Sequence, residues 1–568
     1  MRYLRSYYIP AVLFASAAPA AAAVTISTAA TQNVSCAAGV CTPTAANVVL
    51  NANDLETMLA SGNAEVTTTG TGVQANDIRI AARVSWSGTS TLSLDAFKSV
   101  AVERPVTVEG TGGVSVRTND GGNGGDFACE NAGRLTFKSG SSALTINGTS
   151  YRLLSNIATL ASAIDANPSG AFALAGSYDA SRDGTYATPP VPTVFTGSFE
   201  GLGNAISNLT INDPTDDSFV GLFAEIAGTA TLANMRLLNE SVTGGSGTSS
   251  QSLTESIGGV VGNGAGGSIA HVFVSGTASG GSYAPIGGLT GAMTGTITAS
   301  SAAMAIKGGN LGAAGGLVGI GLSTVRDSVA TGDVSGSGFV GGLVGAESGE
   351  IEHSFATGKV TATDDSTSAG GLAGISEFEI HGSHATGAVS CILNCGGLVG
   401  FLGGGPEPVA KINQSWAAGS VTSSGGGGGL VGYNELGAIS DTYATGAVSA
   451  QVSGGLAGQN DNSGSGDHAI QRSYSSGAVN GSDGFSGGLI GADQFTSTMK
   501  RSYWDMTTSG ITDPGQGAGN IANDPGIKGL SNAKLQSRLP DGFSSRIWTE
   551  NPSINSGLPY LIANPPPR

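Results

Sequence analysis

Four side chains in one short stretch have the types and spacing of a metal site: His381-x-x-His384 followed by Cys391-x-x-x-Cys395. Two imidazoles and two thiolates could hold zinc in a tetrahedron. Two features weigh against it. In an exported chain such a cysteine pair oxidises to a disulfide, and His384 falls at a repeat position taken in most other coils by aromatic side chains. Cys36 and Cys41 form a second close pair, which leaves Cys129 over. The expected state is two short-range disulfides with no metal and no other cofactor.

Other chemical patterns are weaker. "GNGAGG" from Gly262 fits G-x-G-x-x-G and "GFSGG" from Gly484 fits G-x-S-x-G, but neither has the strand–turn–helix setting those motifs need. Asp216-Asp217 and Asp364-Asp365 are adjacent carboxylates, which point to opposite faces of a strand. The bases between 257 and 490 are Lys307, Arg326, Lys359, Lys411 and Arg472, and no acid recurs beside them on one face. A lyase or hydrolase needs such a gathering, so the chain is read as not being an enzyme.

The elements that must carry these residues come from a repeat. "GGLVG" or a close variant begins at Gly258, Gly287, Gly315, Gly341, Gly370, Gly396, Gly428, Gly454 and Gly487, in steps of 26 to 33 residues. Between these phrases lies a second one, such as "IEHSFATGKV" from Ile351 and "ISDTYATGAV" from Ile439. Such a period implies a solenoid or a propeller; a propeller blade needs about 40 residues, and nothing in the period is long enough to be a helix. The predicted fold is all-β, a parallel β-helix (β-solenoid) with Gly-rich repeats of about 26–33 residues. Coils about 4.8 Å apart stack equivalent side chains, so the Leu of GGLVG should form an inward ladder. The paired glycines should turn the corner through positive φ. In S-x-A-T-G, Ser and Ala should face inward and the residue between them outward. That outward column is Val329, Phe355, His384, Trp416, Tyr443, Tyr474 and Tyr503. It reads either as a stack that ties coils together or as an aromatic stripe for a sugar.

Composition agrees. Glycine supplies 93 of 568 residues and charged residues only 11%. A net charge of −17 excludes nucleic acid and anionic membrane as partners. Arg2 and Arg5, the run "IPAVLFASAAPAAAAV" and Ala21-Ala22-Ala23 read as an export signal. No other run is apolar for long enough to span a membrane once that signal is removed. The expected segments are a signal at 1–23, an N-terminal β-helical portion at 24–140 and a looped transition at 141–256. The array follows at 257–506, and a capping tail at 507–568 carries one short helix from Ser531.

GGLVG followed by SYATG-like runs resembles the GLUG repeats of large bacterial surface and secreted proteins, which occur with filamentous-haemagglutinin-type adhesins. "VFTGSFEGLGNAISNLTI" from Val194 resembles the lead-in to such arrays, and "LETMLASGNAEVTTTG" from Leu55 the haemagglutinin shaft. The asparagine-rich secretion signature of that family has only an echo in "NANDLE". The resemblance implies a secreted or cell-surface adhesin-like protein whose partner is a host or environmental surface, a glycan among the candidates. The alternatives are a polysaccharide-binding or polysaccharide-degrading β-helix protein and a structural matrix component. Within the array, the coils starting at Gly396 and Gly454 are lengthened at the same corner. These insertions bring Glu407, Asp461, Asp467 and His468 forward as a ligand-binding surface.

Overall fold

The computed structural model describes residues 23–249, 253–364, 368–403, 409–461, 470–496 and 499–567. The expected signal lies outside them except for Ala23. The chain is a parallel β-solenoid and divides into two compact units. The first comprises Met1–Ser155, Ala171–Tyr178 and Phe199–Ala205; the second comprises Asn156–Gly170, Asp179–Ser198 and Ile206–Arg568.

In the first unit a regular coil contributes three strands, for example Asp77–Ile80, Val84–Trp86 and Thr91–Asp95. Each pairs in parallel with its equivalent in the next coil. Alternation places Ile78, Ile80, Val84, Leu92 and Leu94 in the interior. A helix, Ala52–Ser61, interrupts the first coil. Asn51 caps it by accepting from the Asn53 N–H, and Leu55 and Leu59, one turn apart, are buried. Its Glu56 accepts the Ser85 N–H at 2.7 Å, which satisfies the outermost strand of its sheet.

The second unit holds the array. One coil runs through Val340–Gly341, Val344–Glu347, Ile351–Glu352, Phe355–Ala356 and Val360–Ala362. The first glycines of successive phrases lie directly over one another from Gly258 to Gly487. The leucine ladder from Leu289 to Leu489 is fully buried, and each leucine N–H donates to the carbonyl of the next, as Leu343 to Leu372 at 2.8 Å.

The expected role of the paired glycines needs correction. None of them has positive φ. They are required by close approach instead. An ideal Cβ on Gly341 would lie 1.9 Å from the Val344 carbonyl oxygen, and one on Gly342 would lie 2.1 Å from the Gly371 oxygen and 2.9 Å from the Ala356 Cβ. The same opposition recurs as Gly316 with Ala330, Gly371 with Ala385 and Gly429 with Ala444. The two phrases of the repeat are therefore the two walls of one narrow waist, and each must stay small because the other is there.

Positive φ falls at a different corner, on Ala299, Asp327, His353, Gly382, Gln414, Asp441, Arg472 and Arg501. Most of these carry a Cβ that disfavours this conformation by roughly 1–2 kcal/mol. The residue that follows each is the Ser or Thr of S-x-A-T-G. Ser328, Ser354 and Ser383 each donate their hydroxyl to the carbonyl two residues back. Each also accepts the backbone N–H of the equivalent serine in the preceding coil, at 3.1–3.2 Å. This continuous ladder satisfies groups buried at the corner and offsets its backbone cost.

The array continues for one more coil that the repeat phrase does not reveal. "GQGAG", Gly515–Gly519, takes the place of GGLIG: Leu489 donates to the Gly517 carbonyl, and Ile490 bridges Ala518. Gly517 stands where the leucine would be. Trp504, in the register of Ala444 and Ser475, turns inward, and with Ile527 it occupies the space beside Gly517. Small and large residues have exchanged walls. A helix Ile157–Ala166, with a capping box between Asn156 and Thr159, also belongs to this unit. The helix expected at Ser531 is the single turn Asn532–Leu535.

Candidate functional site

The aromatic column forms as the spacing requires. Phe355, His384, Trp416, Tyr443 and Tyr474 lie in adjacent coils. Their rings stack at centroid separations of 4.7, 4.4, 5.6 and 5.4 Å and within 9° of parallel. Tyr503 follows in register.

The column is not an open stripe for a sugar. His384, Trp416, Tyr443, Tyr474 and Tyr503 are buried, because the segment after residue 530 returns along the array and lies across them. The Trp548 ring packs against Tyr443 and Tyr474, and Phe543 against Tyr474 and Tyr503. Trp548 Nε1 donates to Asp441, which also receives the Arg472 guanidinium. The Tyr474 hydroxyl donates to the Pro559 carbonyl at 2.6 Å, and the Tyr503 hydroxyl to the Asp541 carbonyl. At the far end Trp416 Nε1 donates to the Asn564 carbonyl at 3.0 Å. The tail, expected to cap the open end of the solenoid, is thus a strap along the side of the array. Phe355 and Val329, at the end the strap does not reach, are left half-buried.

The strap also engages one of the four side chains of the zinc pattern. Asn564 uses its side-chain N–H groups on the Ser383 and Gln414 carbonyls, so its oxygen accepts from Nδ1 of His384 at 3.0 Å. Burial holds His384 neutral, lowering its pKa from 6.5 to about 4. Cys391 and Cys395 are joined as a disulfide, so neither sulfur is a thiolate. Cys36 and Cys41 are joined likewise, across a hairpin. Cys129 lies outside both bonds, and burial with the nearby Glu200 and Glu130 raises its thiol pKa. Among the described residues no group of three or more His, Cys, Asp or Glu side chains could hold a metal.

Of the four loop residues, Glu407, Asp467 and His468 lie outside the described residues. Asp461 ends a strand and accepts from the Tyr433 hydroxyl. The bases of the two insertions do share a corner: Gly403 pairs with Glu435, and Glu435 with Asp461.

One outward feature was not singled out by residue type. Lys307, Ser335, Thr361, Ser390, Thr422, Ser449 and Asn480 occupy one register, a coil apart. They project from a strand face whose other side is the buried Val334, Val360, Val389, Val421, Val448 and Val479. Beside this column a shallow open concavity is lined by Thr277, Ser279, Asp333 and Lys359 together with Lys307 and Thr361. The signal was present in the residue that follows the buried Val or Ile of each coil, but it is spread over single residues 26 to 32 positions apart and looks like ordinary surface. Two glutamates of this unit are instead buried in the interior. Glu347, with its pKa raised to about 8 by burial, accepts from the Ser323 N–H and hydroxyl, and Glu240 is buried with its pKa well above 4.5.

Fold and surface together define a repeat β-solenoid with a polar, regularly spaced outer face. No family model matches the chain. Over 112 residues, 19% of this chain, it is 38% identical to the protein named halomucin of Haloquadratum walsbyi. The match covers 1% of that protein's length.

Proposed function

We propose that this is a non-enzymatic, secreted or cell-surface adhesin-like protein of the GLUG-repeat and filamentous-haemagglutinin-like kind, presenting its solenoid for attachment to a polysaccharide-bearing surface. The observation that carries the reading is the outward column from Lys307 to Asn480. A polymer lying along the stack would meet a hydroxyl, amide or ammonium group every coil, about 4.8 Å apart. Its binding is then a sum of many weak, exchangeable hydrogen bonds. The partial similarity to a protein named as a mucin supports a surface location. No helix among the described residues is long and apolar enough to cross a membrane. The insertions following Gly403 and Asp461 supply a second contact corner.

The test is a glycan array probed with the full chain and with Thr361→Val/Thr422→Val, which removes two hydroxyls at unchanged volume. Binding by the parent and a loss of at least tenfold in the variant, at unchanged melting temperature, is the expected result. Equal binding would move the contact to the insertions, and shortening those loops would then abolish it. Polysaccharide cleavage would favour the degrading alternative, and no glycan binding at all would favour a structural matrix component.

A further inference from the structure

The interior polar residues of the last coils form a directed chain. Asn434, Asn460 and Asp493 occupy one register. The Asn434 amide donates to Asn460 Oδ1 at 2.7 Å, and the Asn460 amide to Asp493 Oδ1 at 2.8 Å. Asn520, one coil further, binds the Asp493 backbone on both sides, accepting from its N–H and donating to its carbonyl. Each link passes a donor forward, so the chain ends on an acceptor. Among the described residues the other Asp493 oxygen, Oδ2, has no hydrogen-bond donor, and neither has either oxygen of Asp524. The two carboxyl groups are within hydrogen-bond reach of each other, and the residues are 1% and 4% exposed. Like charges so placed, out of water and without a donor, strongly disfavour the doubly ionised pair. Among the described residues no lysine or arginine forms an ion pair with Asp493, whose carboxyl group accepts from the Asn460 amide and the Phe495 N–H.

We propose that Asp493 and Asp524 bind a hard divalent cation, calcium in preference to magnesium, which clips the final coil to the array. Carboxylate oxygens are the ligands such ions take, and calcium accepts irregular geometry and backbone carbonyls. Magnesium demands a near-ideal octahedron and keeps several waters, for which a site fixed by coil stacking has little room. The rest of the coordination comes from backbone carbonyls, since no third acidic, His or Cys side chain joins the pair among the described residues. The placement suits the role. Asp524 lies between the GQGAG segment and the strand Ile527–Leu530, which pairs with Ser502–Asp505 beneath the strap.

The test is calorimetric titration of the chelator-treated full chain with calcium chloride at pH 7.5, repeated with magnesium chloride. The expected result is one saturable equivalent of calcium, bound at least tenfold more tightly than magnesium, and raising the melting temperature. Asp524→Asn should weaken calcium binding at least tenfold. In chelator it should melt at or above the parent, because the new amide donates to Asp493 Oδ2; this separates lost binding from lost folding. Asp493→Asn, which keeps the acceptor used by Asn460, should lose binding as well. Calcium binding unchanged in both variants would overturn the location, and equal magnesium affinity would overturn the assignment to calcium. A parent that binds no cation but gains stability as pH falls through 7, an effect abolished by Asp524→Asn, would overturn the proposal in favour of a shared proton.

Discussion

The leucine ladder and the aromatic column are both written once per coil, and the same stacking rule lines up both, yet they are buried by different means. Leu343 is enclosed by its own coil and the two beside it. Tyr443 and Trp416 are on the outside of the coil and are enclosed only by residues 541 to 564, about 100 to 150 positions later in the chain. Periodicity establishes that side chains stack. It does not establish that they are covered, since covering can be supplied by a segment outside the repeat.

The comparison breaks most visibly at the inner ladder. Leu343→Asp places a carboxylate in an interior with no partner, where an unpaired charge cannot be accommodated. The expected outcome is loss of cooperative folding of the array by circular dichroism. Lys359→Ala, on the outer face, should shift stability by less than about 0.5 kcal/mol. Comparable melting of the two variants would mean that inside and outside have been exchanged.

A smaller and more local effect is expected at the outer column. Trp548→Ala removes an indole packed on two tyrosines and on Phe543, a loss of about 3–5 kcal/mol for a buried tryptophan. Because the coils enclose their own core, this loss should appear as detachment of the strap. Far-UV signal and leucine-ladder protection should persist, while limited proteolysis cuts after residue 530 and hydrogen exchange accelerates at Tyr443 and Tyr474. Global unfolding of the array in this variant would show that the two ladders form one cooperative unit.

The legibility of the sequence follows the same division. The parallel solenoid, the leucine ladder, the inward Ser and Ala and the order of the aromatic column were all readable, because each is a local pattern repeated many times. Three things were not. The glycine pairs looked like corner residues, but their need is set by a wall from the other half of the coil, Gly342 against Ala356. The positive-φ corner is occupied by Ala299, Gln414, Arg472 and Arg501 as well as by Asp327 and His353, so no one residue type marks it, and the hydroxyl ladder beside them carries it. The strap could not be foreseen because Trp548 and Asn564 belong to no repeat. The helices at Ala52–Ser61 and Ile157–Ala166 did carry a signal, an asparagine N-cap before apolar residues at helical spacing, which the surrounding β pattern concealed.

The finest distinction between the two ladders is in their response to pH. Under the strap, His384 has a folded pKa of about 4 against an ordinary 6.5. Between those values the unfolded chain binds the proton that the folded one refuses, so stability falls as pH drops from 6.5 to 4. At roughly 1.4 kcal/mol per unit the loss is about 3 kcal/mol. Inside the array, Glu347 has a folded pKa of about 8 against an ordinary 4.5. There the folded state keeps a proton that the unfolded chain releases, so its contribution falls as pH rises from 4.5 to 8 and is level above that. Between pH 4.5 and 6.5 the two effects oppose each other, and a single melting curve conceals both. Hydrogen exchange separates them by place: acid should loosen the strap at Tyr443 and Trp416, and alkali the coil around Ser323 and Glu347. His384→Phe, which keeps the stack and cannot take a proton, should remove the acid effect alone, and Glu347→Gln the alkaline effect alone. Loss of both effects in either variant would show that strap and interior titrate as a single system, and the separation drawn between the two ladders would fail.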